Sequence, residues 1–373
     1  MIGIPPFPAH EKTALCLDRA VNSVGWQSIF SCFYMYPFVN RRNGKLIEKI
    51  IKERQHIYEV YFSWGDMPSG RSAATQSDEL LPHEALEVQI AHLAMLHKNQ
   101  IPLNLLLNAN CYGQNSLSRK FMIQMGDLLD YLVHMFGVCS VTTTSPVLAH
   151  FIKENFGALE VRASVNMEIG TVEAMEYLQN DFDGYYYKRE LNKNLSQVKM
   201  LKSWCDANGK KLYMLANSGC LNFCSARQFH DNLVAHEREI AAMDNGVQFH
   251  SACSQFLSKE KNRRDFLHYM NFVRPEEIAI FEPYVAAAKL ANRVSQRAET
   301  IIHAYVHGQY GGNVLDLLEP NHAALFYPTI YDNARLPINY SSHTAECDKK
   351  CDACQYCRRA LQAALVCLKE RSE

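Results

Sequence analysis

The sequence lacks the features that mark secreted, membrane-spanning and strongly charged proteins. No apolar run approaches the roughly 20 residues that a membrane-spanning helix needs. The opening residues MIGIPPFPAHEKTALC contain no basic segment followed by an apolar one, so no secretory signal is evident. The formal net charge of the 373 residues is -1, which gives no bulk field for a nucleic acid or a membrane. A cytoplasmic location, without membrane or nucleic-acid partners, is the resulting expectation.

Cysteine, in contrast, is abundant, with 13 residues in the chain. A reducing cytoplasm disfavours a disulfide framework, so thiols at short spacing indicate metal or cluster ligation instead. Two groups stand out. The first comprises Cys220, Cys224 and Cys253, and the second is the tail CDKKCDACQYC, with Cys347, Cys351, Cys354 and Cys357.

Short apolar runs rich in β-forming residues alternate with helical patterns along the chain. The alternation predicts parallel pairing, and eight such units predict a closed α/β barrel, a (β/α)8 or TIM-like barrel. An open doubly wound sheet is the alternative. The predicted strands are Cys32–Val39, Tyr58–Trp64, Leu103–Ala109, Val138–Thr144, Glu160–Asn166, Gly184–Glu190, Lys211–Asn217 and Glu277–Pro283.

Three parts of the chain follow from this pattern. Residues 1–30 form an N-terminal helical extension, residues 31–310 form the barrel, and residues 311–373 form a C-terminal extension with the CxxxCxxCxxC tail. The barrel carries a long insertion after strand seven, residues 220–275, which contains the first cysteine group. Connections of that length are usually functional.

Thiolate-rich sites favour an iron–sulfur cluster or zinc. The insertion has CxxxC spacing, which is not the CxxC of redox pairs. The tail has the CxxxCxxC spacing of radical enzymes that use S-adenosylmethionine, but it follows the last strand rather than the first. We therefore interpret it as an auxiliary [4Fe–4S] site, with a zinc knuckle as the alternative. One or two [4Fe–4S] clusters are expected in total.

Several segments together resemble the U32 peptidase family. They are LANSGCLNFCSARQFHDN, Cys253, NFVRPEEIAIFEPYVAAAKLANRVSQRAETIIHAYVHGQY and the cysteine-rich tail. Some members of that family are similar to oxygen-independent hydroxylases of ubiquinone precursors or RNA bases, with a [4Fe–4S] cluster on four cysteines. The resemblance implies that Cys220, Cys224 and Cys253 hold a cluster. The fourth ligand is then Cys111, a tail cysteine, or a substrate or water. It also places Lys289, Arg293 and Arg297 in a basic block after strand eight.

Active sites of such barrels lie at the carboxyl ends of the strands. Arg189 follows strand six there, and its planar fork suits a carboxylate. We expect it to bind an anionic small substrate, with Lys289 or Arg293 assisting. Asn217, after strand seven, is a further substrate-binding candidate. Glu168 and His230 are the acid–base candidates, because histidine titrates near neutrality.

Three classes of function remain after this step. The preferred one is an iron–sulfur redox enzyme that hydroxylates or otherwise transforms a small anionic substrate, with an electron donor or a homologous subunit as partner. The alternatives are a peptidase and a cluster-bearing RNA-modifying or RNA-binding protein. A zinc protease would contain HExxH, which is absent, since HERE at His236 lacks the second histidine.

Overall fold

Eight parallel strands close into a barrel in sequence order in the computed structural model, which describes residues 30–33, 42–65, 67–70, 82–247, 249–291 and 297–368. Closure is made by β1, which pairs with β2 on one side and with β8 on the other. The predicted (β/α)8 barrel is therefore confirmed. The barrel strands are β1 (Phe30–Phe33), β2 (Ile57–Phe62), β3 (Leu103–Leu107), β4 (Val138–Thr143), β5 (Glu160–Ala163), β6 (Gly184–Tyr186), β7 (Lys211–Leu215) and β8 (Ala287–Leu290).

Helices follow the strands around the barrel and then build the insertion and the C-terminal extension. The first six and the helix after β8 cover the barrel, where their apolar faces pack on the strands. The α-helices are α1 (Arg42–Lys52), α2 (Pro82–Lys98), α3 (Arg119–Phe136), α4 (Pro146–Asn155), α5 (Val172–Glu176), α6 (Leu195–Ala207), α7 (Arg227–Ala235), α8 (Glu237–Ala241), α9 (Ala252–Leu257), α10 (Glu260–Arg264), α11 (Phe266–Tyr269), α12 (Ala298–His307), α13 (Tyr340–Ala345), α14 (Cys351–Cys354) and α15 (Tyr356–Ala364).

The predicted strand eight is wrong. Residues Pro275–Phe281 form a 3-10 helix, and the strand comes later, at Ala287–Leu290. Ile278 and Phe281 are both buried, and their spacing of three matches the 3-10 repeat. The true strand reads AAKL, which lacks the β-branched and aromatic residues that signal a strand. Lys289 consequently lies inside β8 and not on a helix after it.

The first predicted strand is also displaced, because β1 begins at Phe30, and residues 34–41 lie outside the described part of the chain. Most of the predicted N-terminal extension, residues 1–29, and Arg293 lie outside it as well.

The barrel interior contains a charged layer. Arg162 on β5 donates to Glu59 of β2 at 2.5 Å and to Glu160 at 2.7 Å, and both Arg162 and Glu59 are almost fully buried. The second Glu59 oxygen accepts from the Ser140 hydroxyl at 3.2 Å. The Arg162 guanidinium also lies 4.4 Å from the centroid of the Tyr213 ring. Buried charges are tolerated where partners of this kind compensate for lost hydration.

The insertion and the C-terminal extension share a second hydrophobic core. Its buried members come from two stretches far apart in sequence, Leu221–Phe272 and Val314–Ala364. An antiparallel pair, β9 (Thr329–Tyr331) and β10 (Leu365–Cys367), and a bidentate ion pair of Arg358 with Asp265 at 2.7 and 2.8 Å hold it together. The two predicted appendages thus form one packed unit.

That unit is attached to the barrel through the NSGC stretch after β7. The Asn217 amide donates to the carbonyls of Ala291 and Leu317, and the Gly219 backbone N–H donates to Glu319 at 2.8 Å. A Cβ on Gly219 would lie 2.0 Å from the Pro320 carbonyl oxygen. Only glycine permits this approach, which explains its place before Cys220.

Candidate functional site

The four tail cysteines line one cavity of about 450 Å³ between the insertion and the C-terminal extension. Cys351 and Cys354 are three residues apart on α14 and therefore share a helix face. The backbone adopts the left-handed conformation on either side of α14, at Lys349 (φ 59°) and Gln355 (φ 55°), and the chain turns at both residues. These turns allow Cys347 before the helix and Cys357 after it to reach the same cavity.

A buried lysine lies behind these thiols. The Lys193 side chain is almost fully buried, and its Nζ donates to the Leu267 carbonyl at 2.7 Å. Burial lowers the pKa of Lys193, while the nearby thiols Cys357, Cys347 and Cys351 oppose that change. Burial and the charges of neighbouring thiols raise the pKa of Cys351 to about 11. Several thiols of the cavity wall therefore lie within electrostatic range of one buried lysine.

The spacing of the thiols bears on which metal group they fit. A tetrahedral zinc with Zn–S bonds of about 2.3 Å requires its sulfurs within about 4 Å of one another. No three of the tail ligand atoms lie within 4.8 Å of one another in the described part of the chain. A [4Fe–4S] cluster places its thiolates farther apart, because each binds a different iron. The four thiols are a suitable ligand set for a [4Fe–4S] cluster, whereas a single zinc ion would require them to move closer together.

The insertion cysteines are arranged differently. Cys220 and Cys224 flank the turn after β7, whereas Cys253 lies in the first turn of α9 and packs on the second core. The Cys253 thiol accepts a hydrogen bond from Ser251 at 3.5 Å. Within the described ranges these three thiols do not meet the same 4.8 Å limit either. Leu221, the neighbour of Cys220, belongs to the core against which Cys253 packs, and the ligand role of the three thiols stays a prediction.

A network of charges occupies the carboxyl ends of β5, β6 and β7. Arg189 donates to Glu168 at 2.7 Å and to the Asn166 side chain at 2.8 Å. Arg227 donates to the other Glu168 oxygen and to Glu190, each at 2.8 Å. We call these five residues the mouth network. It brings together two of the three predicted catalytic residues, Arg189 and Glu168.

The mouth network is incompletely satisfied. The Nε atoms of Arg189 and Arg227 and one oxygen of Glu190 are buried and have no hydrogen-bond partner among the described residues. Burial raises the pKa of Glu168, and the charges of Arg189 and Arg227 oppose the rise. Burial also acts to raise the pKa of Glu190, but Arg227 outweighs it and the pKa is lowered. Buried polar atoms without partners suit a bound ligand or ordered water.

One short segment connects the mouth network to the cysteine cavity. The 3-10 helix Arg189–Lys193 follows β6 directly, and its first residue enters the network while its last lies behind the thiols. A second link comes from Asn222, whose backbone N–H and side chain donate to Tyr269 and His268, two residues of the cavity wall. The tail is therefore adjacent to the barrel mouth and is not a remote appendage.

The other predicted site residues lie elsewhere. His230 is exposed on α7, with its ring 5.6 Å from that of Phe249. Asn217 is fully buried, and its amide nitrogen and oxygen both bond to backbone groups. The Lys289 Nζ lies 3.8 Å from the Tyr61 ring centroid inside the barrel. In the described part of the chain, neither His230 nor Asn217 contacts the mouth network through a hydrogen bond or ion pair.

Sequence reasoning missed Lys193 and Arg227. Both are basic residues in loops after strands, in the stretches YYYKRELNK and CLNFCSARQFH. Their positions after β6 and β7 could have indicated a role at the barrel mouth. The groups that they contact are distant in sequence, so the contacts themselves could not be predicted. The RPEE stretch, which carries part of the resemblance to U32 peptidases, has a structural role: Arg274 bonds to Asn333 and Pro337, and Glu277 accepts from the backbone of Ser341. That block fixes the C-terminal extension.

The fold and site together define an α/β barrel with a cysteine-lined cavity beside its mouth. No family model matches the chain, and no curated protein matches it. Among solved structures, the U32 peptidase Mk0906 aligns with a TM-score of 0.46 and 14% identity over 62% of this chain and 85% of that one. A GH113 beta-1,4-mannanase aligns with a TM-score of 0.38 and 9% identity over 75% of this chain and 99% of that one. A Pseudomonas fluorescens enolase aligns with a TM-score of 0.33 and 16% identity over 57% of this chain and 48% of that one.

These similarities are too distant to place the chain in a family, and the resemblance to U32 peptidases stays a prediction. No helix in the part of the chain that the structure describes is long and apolar enough to cross a membrane.

Proposed function

We propose that this chain is an iron–sulfur enzyme that holds a [4Fe–4S] cluster on Cys347, Cys351, Cys354 and Cys357 and acts on a small substrate at the barrel mouth. The convergence of four thiols on one cavity beside a buried lysine is the observation that carries the proposal. Four cysteine thiolates are the usual ligand set of such a cluster. When bound, the cluster would supply one-electron redox chemistry close to the mouth.

Lys193 has a clear part in this proposal. Burying thiolate ligands is unfavourable unless positive charge or hydrogen-bond donors compensate. The ammonium group has three donors, and one is used on Leu267. Lys193 would offset the negative charge of the ligated thiolates, and the buried Tyr340, which belongs to the core against which Cys357 packs, would help to hold that ligand in place.

The mouth network supports an acceptor-rich, anionic substrate. The Arg189 and Arg227 forks are already paired with Glu168 and Glu190, so the four charges balance. The two unpartnered Nε–H groups are nevertheless donors that a carboxylate or carbonyl oxygen would satisfy. Glu168, between the two arginines, is placed to accept or return a proton. Within this class we favour a hydroxylation that takes its oxygen atom from water and passes two electrons to an external acceptor.

Anaerobic purification followed by iron, sulfide and zinc analysis tests the cofactor. We expect about four iron and four sulfide per chain and broad visible absorption. Exposure to air should bleach that absorption as iron is lost. Stoichiometric zinc without sulfide would overturn the proposal. A colourless chain without metal that also fails to take up iron and sulfide on anaerobic reconstitution would overturn it equally.

A further inference from the structure

A cysteine, a histidine and a glutamate that the proposed function does not use meet at the barrel mouth. Cys111 lies just beyond β3, at the strand end where α/β barrels carry their active sites. His236 joins α7 to α8 in the insertion, and Glu239 lies on α8. Two segments more than a hundred residues apart in the chain therefore supply the three side chains.

The three groups are connected in a line. The Cys111 thiol lies beside the His236 imidazole, and the His236 Nδ1 lies 2.8 Å from a Glu239 carboxylate oxygen. With Nδ1 directed at the carboxylate, Nε2 is the ring nitrogen left for the thiol. The Gly113 backbone N–H also donates to the Cys111 sulfur at 3.3 Å. An activated nucleophile typically has this arrangement, in which a thiol contacts a base and a third group orients the base.

Close packing holds the imidazole in this position. A Cβ on Gly113 would lie 3.3 Å from the His236 Cε1, so the ring lies directly over the glycine backbone. Gly113 has φ +54°, a conformation that glycine adopts without strain. Cys111 is partly accessible, as a reacting thiol must be. The neighbouring Asn110 has a buried Oδ1 with no hydrogen-bond partner among the described residues.

The charges favour the ionised thiol. The neighbouring His236 imidazole, with the hydrogen bond from the Gly113 backbone N–H, lowers the pKa of Cys111. The neighbouring Cys111 thiol and the hydrogen bond to Glu239 raise the pKa of His236. His236 and Glu239 are the titratable groups that face the thiol. Opposite shifts in the two partners are those of a thiolate–imidazolium pair.

We propose that Cys111, His236 and Glu239 form a second reactive site, at which the Cys111 thiolate takes the acyl group of an ester or thioester. In the step, the thiol proton passes to His236 and the sulfur attacks the carbonyl carbon. The new S–C bond forms as the bond from that carbon to the leaving oxygen or sulfur breaks. The leaving group departs as an anion or takes the proton back from His236. Glu239 positions the ring.

The experiment uses p-nitrophenyl acetate with the full-length protein at pH 6, quenched in acid and mapped by peptide mass spectrometry. Cys367 is the internal reference, because it is exposed and hydrogen-bonds only to a backbone carbonyl in the described part of the chain. A thiol of ordinary pKa near 8.5 is only about 0.3% ionised at that pH. We expect Cys111 to gain an acetyl group at least about tenfold faster than Cys367.

Three variants test the assignment. His236→Gln should slow acetylation of Cys111 about tenfold, and Glu239→Gln should slow it by less. In wild type, the rate should stay high as the pH falls from 8 to 6, and His236→Gln should restore the steep decline of an ordinary thiol. His150→Gln is the matched control, since His150 is exposed on α4 and pairs with Asp181. It should have no effect.

The proposal is wrong if Cys111 reacts no faster than Cys367, or if His236→Gln leaves its rate and pH profile unchanged. Neither result depends on iron, because peptide mapping follows Cys111 alone. Loss of the tail cluster would therefore not imitate either outcome.

Discussion

Two networks that pair arginine with glutamate lie in the same barrel and differ in how completely they are satisfied. In the interior, Arg162 is paired with Glu59 and Glu160, and none of these three residues has a buried side-chain atom without a partner among those described. At the mouth, the Nε atoms of Arg189 and Arg227 each have no hydrogen-bond partner among the described residues. A complete network stabilises the fold, whereas an incomplete one at a strand exit leaves donors for a ligand.

The contrast predicts where substitutions act. Changes in the interior should reduce stability and leave ligand and cofactor properties alone. Changes at the mouth and in the cysteine cavity should alter ligand and cofactor properties and have little effect on stability. The four predictions below test this division.

Arg162→Met should have the largest effect on stability. It removes the partner of a fully buried Glu59 carboxylate, and such losses cost about 3–5 kcal/mol. Urea unfolding would measure the change in the free energy of unfolding. Lys202→Met is the control, because its pair with Asp206 is a surface i,i+4 pair worth less than about 0.5 kcal/mol. A similar small change in both variants would remove the interior network from the list of stabilising features.

Glu160→Gln should come next, with a dependence on pH. Burial acts to raise the pKa of Glu160, but Arg162 and Lys211 outweigh it and lower the pKa to about 2. A depressed carboxyl pKa stabilises the fold above its unfolded value of about 4.5, and this contribution is lost as the pH falls from about 4.5 to about 2. We expect a loss of about 2–3 kcal/mol at pH 7.

The decisive observation for Glu160 is the shape of the pH profile. Wild type and Glu160→Gln should differ at pH 7 and converge toward pH 2, while the exposed control Glu176→Gln should follow wild type. A constant difference from pH 7 to pH 2 would mean that the carboxylate charge does not contribute.

Lys193→Met should affect the proposed cluster more than the fold. Removing a positive charge beside the ligands disfavours the reduced, more negative state, so the reduction potential should fall. A shift on the order of 60 mV corresponds to about 1.4 kcal/mol for one electron. A redox titration followed by visible absorption would measure it. Lys199→Met is the control, because Lys199 is exposed on α6. Equal reduction potentials in wild type, Lys193→Met and Lys199→Met would show that Lys193 does not act on the cluster.

Arg189→Met should have the smallest effect on stability, about 1 kcal/mol. Glu168 keeps its bond to Arg227 and remains a third exposed, so it is not left as an isolated buried charge. The same substitution at Arg162 should be several times more costly. Comparable losses of unfolding free energy in Arg162→Met and Arg189→Met would contradict the view that the interior network stabilises the fold more than the mouth network does.

The strand pattern was readable wherever a strand contains bulky apolar residues. The apolar runs of β3, β4 and β7 begin at the predicted residues, while β8 was missed because its AAKL sequence carries no such signal. The charged layer was not predicted, because the strand containing Arg162 appeared as an ordinary apolar run with polar interruptions. Its partner Glu59 lies 103 residues away.

The cysteine tail was recognisable as a unit from spacing alone, but its position was not. It reaches the barrel because residues of α15, such as Leu361, pack with Phe266 and Leu267 of the insertion. Contacts of that separation leave no local trace in the sequence. Lys193 was missed for the same reason, since only the folded chain brings it next to Cys357.

The most direct test of the account compares the iron content of two double variants prepared anaerobically side by side. The first is Cys351→Ser with Cys354→Ser, and the second is Cys220→Ser with Cys224→Ser. The account predicts that the tail variant loses nearly all of the iron and that the insertion variant keeps about four iron atoms per chain. Full iron in the tail variant, or equal loss in both, would contradict the assignment of the cluster to the tail cysteines alone.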